Sequence, residues 1–150
     1  MEKIKVHFYN ARAGKLADKV VGIASVFSHV ELEINGVCYS SSNRDRGVRS
    51  KVIDTSNAQK WLSFDLKKNI DENICLLYFE SVRGQKYDWL NILLTQLIKL
   101  NIQSRNKQIC SEFVANCLGL ENAHKYSPES LFFKLKELNY IWKDRRENNV

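Results

Sequence analysis

The stretch Ser28-His29-Val30-Glu31-Leu32-Glu33-Ile34-Asn35-Gly36-Val37-Cys38-Tyr39-Ser40-Ser41-Ser42 decides the fold. Apolar and polar residues alternate on both sides of Asn35-Gly36, the period of a strand with one buried face. A two-residue type I′ turn needs positive φ at both central residues, which Asn and Gly tolerate, so the pair predicts a tight hairpin. The turn sets the expected register: Ile34 opposite Val37, Leu32 opposite Tyr39, Glu31 opposite Ser40, His29 opposite Ser42. One face then carries Val30, Leu32, Ile34, Val37, Tyr39 and Ser41, and reads as core. The other carries His29, Glu31, Glu33, Cys38, Ser40 and Ser42.

The hairpin's polar face gives His29 company. Glu31 lies two residues on, on the same face, and Ser42 lies opposite. Either one is placed to bond a ring nitrogen, fix the tautomer and raise the basicity of the imidazole. The plain alternative for the two glutamates is a solvated strand face. The polar run Ser40 to Arg49 follows, with arginines at 44, 46 and 49. It reads either as a surface loop or as a rim for a carboxylate or phosphate, which Arg binds bidentately.

A second segment matters as much: Ile109-Cys110-Ser111-Glu112-Phe113-Val114-Ala115-Asn116-Cys117-Leu118-Gly119. Ile109, Cys110, Phe113, Val114, Cys117 and Leu118 follow helical spacing. Free cysteine is among the most buried residue types, so both thiols fit an apolar stripe. Position separates them. Cys110 opens the helix, where unpaired N–H groups and the positive dipole end favour a thiolate and an oxyanion. Cys117 sits in the last turn, where the dipole opposes one. His7 and His124 are rival bases: His7 lies in the first strand with no acidic residue beside it on its face, and His124 precedes Tyr126-Ser127-Pro128 in a loop.

The rest of the chain frames these two segments. Residues 3–9, 47–54 and 60–66 read as strands. Residues 71–83 read as a helix opened by Asp71 and Glu72 and closed at Gly84. A buried helix is expected over about residues 89–101, capped by Asp88. Ser127-Pro128 predicts a helix running to about Leu138. Residues 12–24 form a short helix or loop. Strands first and helices later predict an α+β domain, an antiparallel sheet packed against helices.

At 150 residues the expectation is one domain, 1–150, with a real core. The start, Met1 to Phe8, lacks the apolar run of a signal peptide. The apolar stretch Trp89 to Ile102 is shorter than the roughly 20 residues a bilayer needs. The chain is therefore expected to be cytoplasmic at synthesis, in a host's cytoplasm if a phage encodes it, and not transmembrane. Cys38, Cys75, Cys110 and Cys117 show no paired C-x-x-C spacing, so no metal site and no cofactor is expected. The net charge of +6 is a solvated surface or an attraction to an anionic partner. Nucleic acid is the weaker reading, because no recognition motif accompanies the charge.

Taken together, S-H-V-E-L-E-I, C-Y-S-S-S-N-R-D-R-G-V-R-S-K, K-Y-D-W-L and I-C-S-E-F-V resemble the permuted NlpC/P60 group of papain-like cysteine hydrolases. The likeness covers roughly 28–135 and is nearest to small bacterial and phage-encoded members of the YiiX/YebB type. Lecithin–retinol acyltransferase-like proteins are more distant relatives. The resemblance implies a circularly permuted papain-like core in which the His strand precedes the Cys helix. It implies Cys110 as nucleophile and His29 as general base, in a thiol peptidase, amidase or acyl transferase acting on a cell-wall peptide or an acyl lipid. The group's third, polar residue usually follows the His on a neighbouring strand. Glu31 stands in the strand itself, and Ser40 and Ser42 are the nearest candidates on the next; Ser40, Ser42 and Arg44 are also the expected substrate contacts. The rival expectation is a binding or inhibitory module of the same fold that performs no turnover.

Overall fold

A computed structural model describes residues 4–13, 26–67, 70–84, 86–87 and 107–142. The expected helix over 89–101 lies outside them, as does nearly all of 12–24. The architecture is α+β. A mainly antiparallel sheet is built from β1 (Ile4–Asn10), β2 (Phe27–Ile34), β3 (Val37–Ser42), β4 (Gly47–Lys51) and β5 (Trp61–Leu66). Among the described residues three helices follow these strands: α1 (Glu72–Val82), α2 (Cys110–Cys117) and α3 (Pro128–Glu137). Two-residue strands β6 (Lys86–Tyr87) and β7 (Lys107–Gln108) pair in parallel, and β8 (Ile141–Trp142) adds to the main sheet. The sheet order is β4-β3-β2-β1-β5-β8.

The β2–β3 hairpin forms as its turn chemistry dictates. Asn35 and Gly36 both take positive φ, 51° and 80°. The register is Ile34–Val37, Glu33–Cys38 and Leu32–Tyr39. Glu31–Ser40 and His29–Ser42 are not among the paired residues. Ser40 instead donates its hydroxyl to the Val30 carbonyl, 2.7 Å away, and Ser42 pairs with Gly47 of β4.

The apolar faces of β1 and β2 build the core. Ile4, Val6 and Phe8 join Val30, Leu32 and Ile34 there, with α2 against β2 and β3 and α3 against β2. Helix residues Phe79, Phe113, Val114, Leu131 and Leu135 complete it. A bulge at Ser28 changes which face Phe27 takes. Tyr9 pairs with His29 but Asn10 pairs with Phe27, so Ser28 is the extra residue. Strict alternation puts Phe27 on the His29 face. The bulge turns it into the core, where its ring lies 5.3 Å from Phe8 and 5.1 Å from Phe132, centroid to centroid.

The helix ends follow local rules. The Asp71 side chain accepts from the Asn73 N–H to cap α1. Ser127 and Ser130 form a reciprocal capping box at α3, with Pro128 at its first position. Gly119 takes φ 67° just past α2. Among the described residues no helix is long and apolar enough to cross a membrane.

Candidate active site

The start of α2 meets the start of β2. Ile109, in extended conformation, is the N-cap, and its apolar side chain offers no cap to the first N–H groups of the helix. Cys110 is the first helical residue and is 1% exposed. Ser111 behind it donates to the Tyr126 carbonyl, tying α2 to the segment that leads into α3.

The Cys110 thiol and the His29 ring are hydrogen-bonding partners. The ring's Nε2 lies 2.6 Å from Glu31 Oε1, which leaves Nδ1 as the nitrogen for the sulfur. Glu31 is 1% exposed and accepts two further bonds, from Arg49 Nη1 at 2.8 Å and Nη2 at 2.5 Å. Arg49 also bonds Asp45 through Nε, 2.7 Å away, and Lys51 closes the chain on Asp45 at 2.8 Å. The result is a connected line, Cys110, His29, Glu31, Arg49, Asp45, Lys51, in which charge alternates from His29 onward.

Electrostatics follow from that line. Burial alone disfavours a charged His29, but the charges of Cys110 and Glu31 and the bonds to both outweigh it, and the ring is pushed up to about 10 from an ordinary 6.5. Burial also disfavours an ionised Glu31, yet Arg49 and His29 hold its carboxyl at about 2. The two groups therefore stabilise the fold in opposite senses of pH. The raised His29 contributes fully below pH 6.5 and loses its contribution as pH rises through about 10. The depressed Glu31 contributes fully above pH 4.5 and loses its contribution as pH falls through about 2. Chemical denaturation across pH is expected to give a plateau between those limits with a decline on each side. His29→Gln is expected to remove the His29 part of the alkaline decline, and an unchanged profile would contradict the ion pair.

The other sequence-predicted residues fall in different places. Ser40 is fully buried, its hydroxyl spent on Val30. Ser42 is 8% exposed in the β3–β4 ladder, and Arg44 is exposed in the turn that follows. Arg49 does not serve a solvent-facing rim as the arginine run suggested: it turns inward to Glu31, because β4 pairs with β3 and sets Arg49 opposite Ser40. His7 also needs correction. It does have acidic neighbours on its face, since β1 pairs with β2 and puts Glu31 directly opposite. Its Nε2 bonds Glu33 at 2.9 Å and its Nδ1 bonds Ser63 at 2.7 Å. Burial holds its ring below the ordinary imidazole value against the pull of Glu33. His124 lies in a short 3-10 turn, Ala123–Lys125, and the ring that meets Cys110 is that of His29.

The remaining thiols sit in other surroundings. Burial and the nearby Glu31 and Glu33 push Cys38 up to about 12. Cys75 donates to the Cys117 carbonyl in the core at 3.2 Å, and burial raises Cys117 well above an ordinary thiol.

No family model, curated protein or solved structure matches the chain. Its function is therefore argued from the residues.

Proposed function

We propose that the protein is a cysteine hydrolase or acyl transferase working through a thioester on Cys110. The observation that carries this reading is the connected line Cys110–His29–Glu31, with Arg49 behind it. A nucleophile, a base in contact with it and a third group orienting the base are the parts that thiol acyl transfer needs. Glu31 takes the orienting role, being the residue bonded to Nε2, and neither Ser40 nor Ser42 does.

The chemistry runs in two stages. The Cys110 sulfur, its proton carried by His29, attacks a carbonyl carbon. The N–H groups at the start of α2 stabilise the developing oxyanion. The His29 imidazolium gives its proton to the leaving amine or alcohol. Water or another acceptor, deprotonated by His29, then attacks the thioester and releases the thiol. The permuted NlpC/P60 reading is consistent with the His-strand-then-Cys-helix order and with a helix start set against an antiparallel sheet. By that likeness the bond cut is an amide of a cell-wall peptide or an acyl bond of a lipid.

Alkylation mapped by intact mass and peptide analysis tests the assignment. The native protein, given iodoacetamide at neutral pH, is expected to gain one adduct, on Cys110. Cys38, Cys75 and Cys117 should stay unmodified, being 0%, 1% and 3% exposed, with burial pushing Cys38 and Cys117 above an ordinary thiol. Cys110→Ala should gain none. The His29 side chain, 18% exposed, marks the side from which a reagent reaches the sulfur. A Cys110 that reacts no faster than the other three would refute the reading.

A further inference from the structure

A second cluster lies on the polar face of the same sheet, on three adjacent strands. His7 of β1, Glu33 of β2 and Cys38 of β3 bring one ligand atom each to within 4.8 Å of one another. We propose that these three residues bind a divalent zinc-like transition ion, with water as fourth ligand.

The donor set is the first argument. Imidazole nitrogen, thiolate sulfur and carboxylate oxygen are the ligands zinc takes, and three protein ligands plus water is a common arrangement. Register is the second. Glu33 pairs directly with Cys38, and His7 sits opposite Glu31, one diagonal step from Glu33. Three strands of a rigid sheet thus hold the donors. Enclosure is the third. His7 is 1% exposed and Cys38 is 0% exposed.

The surroundings match what supports ligands elsewhere. A metal-bound histidine usually has its second nitrogen held by another group, which fixes the ring. Here Nδ1 is held by Ser63 Oγ at 2.7 Å, so Nε2 faces the cluster. The Cys38 sulfur takes a hydrogen bond from the backbone of Ile53. The nitrogen and the carboxylate oxygen already stand close to the separation of two ligands on one ion. Nε2 and the Glu33 oxygen are 2.9 Å apart. Two such atoms bound tetrahedrally at zinc are about 3.3 Å apart, from ordinary metal–ligand lengths. Small side-chain rotations supply that difference. Binding displaces the thiol proton to solvent and leaves neutral imidazole, thiolate and carboxylate on the ion, so no redox step is involved.

Cobalt(II) titration of the reduced, metal-free native protein is the experiment. One equivalent is expected to bind and to give an intense near-ultraviolet thiolate-to-cobalt band, reversed by zinc. Cys38→Ser should abolish the band, and Ser63→Ala should weaken affinity about 10- to 100-fold. Cys110→Ala and His29→Gln should leave both unchanged, which separates this site from the proposed active site. Absence of the band in the native protein overturns the proposal. So does a band that survives Cys38→Ser, or one lost with Cys110→Ala.

Discussion

Glu31→Gln is expected to cost about 3 kcal/mol of unfolding free energy, the scale for removing one partner of a buried ion pair. The carboxylate is 1% exposed and takes bonds from His29 and from both terminal nitrogens of Arg49. An amide keeps the shape but leaves two cationic groups facing a neutral one. Arg49 retains Asp45, which keeps the loss at the lower end of the usual range. The companion variant Glu31→Gln with Arg49→Met should recover part of it, since it removes the Arg49 cation that Glu31→Gln leaves facing a neutral group. Urea denaturation of the two single variants and the double closes the cycle. A loss below about 1 kcal/mol for Glu31→Gln, the range of exposed pairs, would mean that the carboxylate is solvated and that His29 has no fixed support.

What the sequence made legible follows local rules, and what it hid follows strand order. Asn35-Gly36 dictated the turn and three paired positions of the hairpin. Asp71, Gly84, Ser127-Pro128 and Gly119 marked helix ends by capping chemistry that acts within a few residues. The antiparallel sheet with helices on it followed from the order of the elements. The Arg49–Glu31 pair did not, because it needs β4 beside β3 and β3 beside β2 at a set register. Nothing in the arginine run distinguishes Arg49 from Arg44 and Arg46 before that order is known. His7 was misread for the same cause: its neighbours come from β2 and β5, 24 and more positions away in the chain. The bulge at Ser28 has no clear signal in Val26-Phe27-Ser28-His29, and it decides that Phe27 enters the core while His29 stays beside Glu31.

The candidate site divides in the same way. Cys110 stood out because a helix start is visible in sequence, and His29 by its polar company on a strand face together with the family resemblance. Glu31 was one of several options, and only the 2.6 Å contact separates it from Ser40 and Ser42. The polar face also looked solvated from its composition. In the folded sheet His7, Glu31, Cys38 and Ser40 are each 1% exposed or less. Buried polar groups of this kind persist when each finds a partner. The carboxylates and cations do so here by pairing across strands.

His29→Gln is expected to slow acylation of Cys110 by about 10²- to 10⁴-fold at neutral pH, the usual worth of a positioned general base. Glutamine keeps a polar side chain beside Glu31 but cannot carry the proton that Cys110 gives up. With a p-nitrophenyl ester, release of nitrophenolate reports the acylation step, because that leaving group needs no proton. The variant's rate should rise with pH, as hydroxide does the work of the ring. The native protein should already react at neutral pH, since His29 can hold the proton that Cys110 gives up and stays charged up to about 10. An amide substrate reads the other half of the cycle. Its amine must leave with a proton from His29, so native turnover is expected to fall above about pH 10, where the imidazolium is lost. Thioester breakdown should slow in the variant too, and intact mass should then show an acyl group retained on Cys110. Equal acylation rates at neutral pH for the native protein and His29→Gln would show that the contact between ring and thiol performs no proton transfer, and the hydrolase reading would fall with it.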